Sequence, residues 1–174
     1  MASTLELKET EQRFEAELLE HELLLHKVCS MYAYTEADRQ DLFQDIVIQL
    51  WQSYPTFKGN SKFSTWLYRV AINTAISGNR KKKDFISYYE PASLPLEISE
   101  EPTVHSKEER LQQMTTAIAQ LNEVEKAIVM LYMEERSYEE MEDVLGIKES
   151  TLRVKMNRIK EKLRQLTKTI HHGT

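Results

Sequence analysis

The chain has 174 residues, of which 41% are hydrophobic and 29% charged, and this balance excludes an intrinsically disordered protein. With only 4 glycines and 4 prolines, it lacks the turn residues that a sheet protein needs, so the composition predicts an all-helical fold. The formal net charge of −5, taken alone, argues against nucleic-acid binding, and a single cysteine excludes an internal disulfide and a cysteine-built zinc site.

The hydropathy pattern predicts neither a membrane-spanning segment nor a signal peptide. No run of about 18 apolar residues occurs, and the opening MASTLELKETEQRF lacks the basic-then-apolar order of a signal peptide. A cytoplasmic protein is therefore expected. Cys29 lies in the apolar run LLLHKVCSMYA, which predicts a buried and unreactive thiol.

The first half of the chain predicts three or more helices. Thr35 is a candidate N-cap for the helix EADRQDLFQDIVIQLWQ, and Asp38 lies in its first turn. Helical periodicity sets Ile48 among polar residues on the face opposite the core. That face indicates a protein-docking patch or, equally well, a solvated face with one stray isoleucine. Its other members are Asp41, Gln44, Asp45 and Gln52.

Residues 58–83 carry seven basic and no acidic side chains, in an otherwise acidic half of the chain. A local basic island favours a polyanionic partner whatever the net charge. The stretch starts in the loop FKGNSKF, whose small and amide residues can clasp a base turned out of its stack. The next helix mixes a ring with cations on one stripe, which suits unstacked single-stranded bases. That stripe holds Trp66, Arg69, Asn73, Ser77 and Arg80.

The aromatic residues of this helix have a second interpretation, which is burial in the core. Tyr68 falls among apolar positions, so burial is favoured there. For Trp66 the pattern leaves burial and base stacking equally open. The basic end of the stretch, RKKK at residues 80–83, suits phosphate groups.

Three of the four prolines fall within residues 84–107, which are acidic and show no sustained helical period. This segment is predicted to be a flexible linker between a helical domain at 1–83 and a second helical domain at 108–174.

The second domain predicts a helix-turn-helix motif. Asn122 with Glu125, and Ser137 with Glu140, each have the spacing of a capping box. Gly146 supplies a left-handed residue that ends the short helix after Ser137. A short helix, a turn with glycine and a second amphipathic helix are together typical of this DNA-binding motif.

The final helix, ESTLRVKMNRIKEKLRQLTK, has one narrow apolar stripe and one basic face. The opposite face carries small, amide and guanidinium groups that can meet base edges in a major groove. The alternative is a solvated basic helix that closes a small bundle, but the cap, the turn and the helix order favour DNA binding. The stripe is Leu152, Met156, Ile159, Leu163 and Leu166; the reading face is Ser150, Arg153, Val154, Asn157 and Arg158; Lys148, Lys155 and Lys160 flank it.

Two segments together resemble a bacterial RNA polymerase sigma factor of the extracytoplasmic-function (ECF) group of the sigma-70 family, which keeps only regions two and four. DLFQDIVIQLWQSYPTFKGNSKFSTWLYRVAINTAISGNRKKK resembles region two, and LNEVEKAIVMLYMEERSYEEMEDVLGIKESTLRVKMNRIKEKL resembles region four. The resemblance covers roughly residues 14–168, with both motifs in the family's order. It implies two small helical domains and a protein that binds core polymerase and directs promoter recognition, DNA melting and transcription initiation.

The resemblance assigns three sets of site residues. Docking on the polymerase clamp is implied for Asp41, Gln44, Asp45 and Gln49, with Ile48 among them. Contact with the minus-ten element is implied for Lys58, Asn60, Ser61, Lys62, Phe63, Trp66, Arg69, Asn73, Arg80, Lys81 and Lys82. Contact with the minus-thirty-five element is implied for Lys148, Ser150, Thr151, Arg153, Val154, Lys155, Asn157 and Arg158.

The chain departs from the family pattern at three positions of region four. Family members usually carry Ala where Glu142 stands, because the two helices of the motif approach closely there. They commonly carry Gly at the position of Ser150 and Ser at the position of Val154.

The resemblance also implies partners. These are the clamp and flap of core RNA polymerase, promoter DNA as duplex and as melted strand, and an anti-sigma factor, which offers attachment to the inner membrane face as an alternative to free cytoplasmic location. No membrane insertion, cofactor or metal is expected, and no enzymatic activity. The linker is expected to thread toward the active-site and RNA-exit channel of the polymerase.

Three other functions agree with only part of the sequence. A response-regulator-type transcription factor shares the final helix but would carry strands alternating with helices in its first half. A metalloenzyme is suggested by HELLLH, yet His21 and His26 diverge by about 140° on a helix and cannot chelate one ion. A helical adaptor leaves the two basic stretches, residues 58–83 and 150–168, unexplained.

Overall fold

The computed structural model describes residues 4–88 and 107–172 and, within them, the side chains of residues 6–79 and 107–168. All regular structure in these ranges is helical, which confirms the predicted all-α class. The helices are α1 (Thr4–Glu20), α2 (Glu22–Tyr32), α3 (Glu36–Ser53), α4 (Phe63–Tyr88), α5 (Lys107–Ala119), α6 (Glu123–Met133), α7 (Tyr138–Leu145) and α8 (Glu149–His172), and a 3-10 turn, Tyr54–Thr56, follows α3. None of the described helices has the length and apolar character that crossing a membrane requires.

Helices α2, α3 and α4 form the core of the first half. Thr35 caps α3 as predicted, because its side chain accepts a hydrogen bond from the backbone N–H of Asp38. The helix α4 turns one apolar face toward α2 and α3, and its other positions remain at the surface. The buried residues of that face are Leu67, Tyr68, Ala71, Ile72 and Ala75. Cys29 is also buried, as predicted, and burial raises the pKa of its thiol to about 11.

An aromatic cluster fixes the connection between α3 and α4. Phe14 lies with its ring centroid 5.1 Å from that of Trp51 and 5.0 Å from that of Tyr54. The Tyr54 hydroxyl donates a hydrogen bond of 2.8 Å to Glu17 on α1. Since α1 and the 3-10 turn are tied together in this way, the loop that follows starts from a fixed point.

The second half contains both predicted capping boxes and the predicted turn. Asn122 and Ser137 each accept from the N–H three residues on, and the glutamate at that position accepts from the N–H of the cap. Gly146 ends α7 with φ 67°, a left-handed conformation that favours glycine. The stripe on α8 is buried at Leu152, Met156 and Ile159 and half-buried at Leu163 and Leu166, so its predicted inner face is confirmed in its first three turns.

The two halves touch each other. Helix α4 packs against α6 and α7, and α2 packs against α6. The Tyr32 hydroxyl donates a 2.8 Å hydrogen bond to the carbonyl of Glu123, and the Lys126 ammonium donates a 2.9 Å bond to the Tyr34 hydroxyl. The apolar core is therefore one contiguous cluster that includes residues from both halves.

Helix α4 continues to Tyr88, past residue 83, where the sequence placed the end of the first domain. The reason is that extending a formed helix adds a hydrogen bond per residue without a new nucleus, so weak helix formers such as Phe85 and Ile86 are carried along. Residues 89–106, which make up most of the predicted linker, lie outside the described range, and the division into domains stays a prediction.

Candidate nucleic-acid and polymerase interface

The outer face of α8 presents the residues that the sequence selected for duplex DNA. All eight side chains implied for the minus-thirty-five element are at the surface: Lys148, Ser150, Thr151, Arg153, Val154, Lys155, Asn157 and Arg158. Val154 is 49% exposed, although it is apolar. Because Leu152 and Met156 point into the core, the geometry of the helix holds this face outward along its length.

Arg153 and Arg158 differ in their surroundings. The Arg153 guanidinium donates from Nε to Glu149 over 3.1 Å and lies 4.5 Å above the Tyr138 ring. These contacts lay Arg153 along the first turn of α8. Arg158 forms no ion pair with any residue of the described ranges, so its charge faces solvent.

The surroundings of Glu142 show how the motif accommodates a carboxylate at a position where family members usually carry alanine. The side chain is half-buried, and Oε2 accepts a 2.8 Å hydrogen bond from the backbone N–H of Glu149. That N–H belongs to the first turn of α8, where backbone donors lack partners within the helix. Glu142 therefore ties α7 to the start of α8.

The loop before α4 exposes Lys58, Gly59, Asn60 and Lys62 and leaves Ser61 half-buried. Gly59 adopts φ 71°, a conformation that residues with side chains rarely take up. The ring centroids of Phe57 and Phe63 lie 5.6 Å apart, so the two ends of the loop are held together. The result is a short, fixed loop with amide and cationic groups at its tip.

Two aromatic residues predicted to meet DNA pack largely against the protein. Phe63 is half-buried, with its centroid 5.2 Å from the His21 ring and 5.4 Å from Trp66. Trp66 is also half-buried and lies 5.1 Å from Phe57. Burial and base stacking were equally open for Trp66 in the sequence. In the structure its ring packs in the aromatic cluster and part of its surface remains exposed.

Helices α3 and α4 border a surface groove of about 460 Å³. Asp45, Ile48 and Gln49 line it from α3, and Asn73, Thr74, Ser77 and Gly78 line it from α4. The predicted docking face and the predicted strand-binding helix are therefore neighbours on one side of the molecule. The remaining docking residues, Asp41 and Gln44, are exposed on the same helix, and Ile48 is 50% exposed.

Part of the predicted minus-ten set cannot be placed in this way. Arg80, Lys81 and Lys82 are in the backbone of α4, but their side chains lie outside the described residues. The sequence also missed Thr74 and Gly78 in the groove. Thr74 and Gly78 directly follow Asn73 and Ser77 and lie one helical turn apart, and this spacing is the signal that points to them.

The two histidines of HELLLH have structural partners instead of a shared ion. His21 Nδ1 donates to the carbonyl of Glu17 over 2.8 Å, and the His26 ring stacks on Phe43 at a centroid distance of 4.9 Å. No group of three or more metal-ligating side chains occurs among the described residues.

Two family models match the chain in the order that the fold presents them. The model for Sigma-70 region 2 matches residues 18–85, and the model for Sigma-70, region 4 matches residues 111–163. The chain belongs to the sigma-70 family. It is therefore a sigma factor, a protein that directs promoter recognition, and the hypothesis of a response-regulator-type factor is no longer needed.

Known relatives and solved structures agree with the assignment. The sigma factor is 29% identical to the ECF RNA polymerase sigma-E factor of Escherichia coli (strain K12), with 78% of each chain covered. It is 27% identical to the ECF RNA polymerase sigma factor SigW of Bacillus subtilis (strain 168), with 81% of each covered.

Two solved structures share the fold. The sigma factor RpoE of Bartonella quintana, solved in complex with the anti-sigma factor NepR, matches with a TM-score of 0.70 at 20% identity, covering 90% of this chain and 98% of that one. CnrH, solved in complex with the cytosolic domain of CnrY, matches with a TM-score of 0.62 at 18% identity, covering 91% and 90%.

The bond from Glu142 to α8 gives a prediction about stability. Replacing Glu142 with Ala removes the acceptor for the Glu149 N–H and should lower the free energy of unfolding by about 1 kcal/mol, measured by urea denaturation of the full chain. Glu142→Gln keeps a side-chain oxygen as acceptor and should remain close to the parent. Equal stability of the parent and Glu142→Ala would show that the bond contributes nothing.

Proposed function

We propose that the sigma factor uses three of its surfaces in sequence. The outer face of α3 binds core polymerase, and the outer face of α8 binds the minus-thirty-five duplex. The loop before α4, together with the stripe of α4 that includes Trp66, Arg69 and Asn73, binds the melted minus-ten strand. The observation that carries this proposal is the groove between α3 and α4. Because one groove joins the two surfaces, docking on polymerase would bring the strand-binding helix to the DNA that the enzyme opens.

The α3 surface has the chemistry of a docking patch. Asp45 and Gln49 are exposed on either side of Ile48, whose side chain is half exposed in a polar setting. An apolar centre ringed by polar groups is the usual form of a protein interface. The alternative is a solvated face with one stray isoleucine. The position of Ile48 at the wall of the groove favours the docking patch.

The loop and α4 are suited to a single strand. Asn60 is exposed at the tip of a loop whose ends are fixed by Phe57 and Phe63, so it can bond to a base without a large ordering cost. Arg69 and Asn73 are exposed on the next turns of α4. We propose that Phe63 supports the loop from below, that the exposed part of Trp66 borders the strand, and that the basic end of α4 at residues 80–83 meets its phosphates.

The α8 surface is suited to a duplex. Ser150, Arg153, Val154, Asn157 and Arg158 would face base edges, and Lys148 and Lys155 would face phosphates, which position the protein without specifying the sequence. The acidic segment between the two halves would pass toward the RNA-exit channel of the enzyme. An anti-sigma factor is proposed as a regulatory partner, since RpoE of Bartonella quintana, which shares the fold, was solved in complex with the anti-sigma factor NepR.

Binding to core polymerase should depend on the α3 patch. The purified sigma factor should bind core enzyme with at least micromolar affinity, and the double variant Asp45→Ala, Ile48→Ala should bind about tenfold more weakly, because truncation removes contacts at the centre of the patch. Competition for core enzyme against the labelled parent measures the effect. The control is Glu15→Ala, an exposed carboxylate on α1. Failure of the parent to bind core enzyme would rule out the proposal.

Duplex recognition should depend on Arg158. Arg158→Ala should weaken binding to a promoter duplex by about 1–3 kcal/mol relative to a scrambled duplex, since a lost base contact reduces specificity. Arg164→Ala is the matched control, because Arg164 is an exposed arginine farther along α8 that pairs with Glu161. Core binding should be unchanged in both variants. If both lose affinity equally, and equally for scrambled DNA, Arg158 contributes only charge.

Melting should depend on the loop. Asn60→Ala should lower the rate of open-complex formation by holoenzyme, because the extruded base loses its partner, and should leave duplex binding intact. A premelted promoter should recover most of the loss. The control Gln112→Ala changes an exposed amide on α5 and should behave as the parent. A defect that persists unchanged on premelted DNA would argue against base capture.

A further inference from the structure

We propose that His21 is a positioning residue for promoter melting, because it holds the loop before α4 in the position from which Asn60 can capture a base. The inference rests on the proposed function, since it takes Asn60 as the residue that meets the extruded base. It assigns a role to a histidine of HELLLH, which forms no part of the three proposed surfaces.

His21 lies at the junction of α1 and α2, and its hydrogen bonds fix the direction of its ring. The backbone N–H donates to the carbonyl of Leu18 over 3.1 Å, and the backbone carbonyl accepts from the N–H of Leu24 over 3.0 Å. Ring Nδ1 donates to the carbonyl of Glu17 over 2.8 Å. That carbonyl belongs to the last turn of α1, where carbonyls lack helical partners. His21 is thus bound to both helices, and its ring is held in one direction.

The ring of His21 meets Phe63, the first residue of α4. The two ring centroids are 5.2 Å apart with an interplanar angle of 60°, which is the edge-to-face arrangement that aromatic pairs favour. Both side chains are half-buried. Phe63 directly follows Lys62, the last residue of the loop, so this contact holds the end at which the loop joins α4.

The same part of the chain also holds the other end of the loop. Glu17 accepts the 2.8 Å hydrogen bond from the hydroxyl of Tyr54, and Tyr54 opens the 3-10 turn that leads into the loop. Phe14 packs on the Tyr54 ring with 5.0 Å between the centroids. Glu17 and His21 are four residues apart, so one short piece of chain braces both ends of the loop.

The position of Asn60 depends on these braced ends. Asn60 and its neighbours Lys58 and Gly59 are exposed, so the core does not hold the tip of the loop directly. A loop whose ends are held loses less entropy when it orders around a ligand. Removing the contact with Phe63 should therefore slow base capture, although Asn60 itself is unchanged.

The alternative is that His21 only caps the C-terminus of α1. A cap needs the hydrogen bond to the Glu17 carbonyl and no ring, so substitution can separate the two roles. His21→Asn keeps an N–H donor near the position of Nδ1 and removes the ring that meets Phe63. His21→Phe keeps a ring and removes the donor.

The test measures the rate of open-complex formation on a mapped duplex promoter by holoenzyme, at a saturating concentration of each variant. His21→Asn should lower the rate about twofold to tenfold, the range that the loss of one aromatic pair allows, and His21→Phe should remain close to the parent. The matched control is His26→Asn, because the His26 ring stacks on Phe43 of α3 and not on a residue at the loop. Equally slow His21→Phe and His21→Asn would show that only the cap matters.

A double-mutant cycle shows whether His21 acts through the loop. His21→Asn should add little to the defect of Asn60→Ala, because the group that His21 positions is already gone. Hydrogen exchange of the free chain gives a readout without DNA. Exchange of residues 57–63, relative to the stretch 67–75 that supplies the buried face of α4, should be faster in His21→Asn than in His26→Asn. Equal relative exchange in the two variants would contradict the brace.

The kinetic results would overturn the inference in three further ways, which differ in what else they affect. If His21→Asn forms open complexes as fast as the parent while Asn60→Ala is slow, the brace is wrong and the proposed base capture stands. If His21→Asn slows the reaction by the same factor in the parent and in Asn60→Ala, His21 supports the fold in general and not the loop. If Asn60→Ala itself reacts at the rate of the parent, base capture fails, and the role of His21 fails with it.

Discussion

The structure depends on one helix, α4, that has to satisfy two opposite demands. Its apolar face, with Leu67, Ala71 and Ile72, completes the core against α2 and α3. Its other face is exposed to solvent and, in residues 58–83, free of carboxylates, as the proposed contact with a melted DNA strand requires. A long amphipathic helix meets both demands because side chains three and four residues apart share a face. The placement of the loop, the groove and the contact with α7 all follow from where α4 lies.

The same division of faces organises the second half of the chain. Leu152 and Met156 anchor α8 in the core, and the capping boxes, Gly146 and Glu142 set where α7 ends and α8 begins. These local interactions involve few residues, and they fix the direction of the outer face of α8. Helix α7 also contacts the first half of the chain, since Glu140 pairs with Lys62 and the backbone carbonyl of Asp143 accepts a hydrogen bond from Arg69.

Local features of the fold could be predicted from the sequence because they rest on neighbouring residues. The caps at Thr35, Asn122 and Ser137 and the buried stripe of α8 are examples, and each needs only helical spacing and simple hydrogen-bond chemistry. Contacts between distant residues could not be predicted, since no periodicity links Arg69 to Asp143. The packing of Phe63 was missed for the same reason, because two helices, α2 and α3, separate it in the sequence from its partner His21. The acid-rich α7 and the acid-free 58–83 stretch are complementary in charge, and this was the one signal of their contact.

Transcription in vitro with core enzyme, the sigma factor and a library of genomic fragments tests the central claim most directly. Mapped start sites should share two upstream sequence elements at a constant spacing, because we propose that α8 and the α4 surface read separate stretches of one promoter. Starts at the positions that core enzyme uses alone, with no shared elements, would contradict the account.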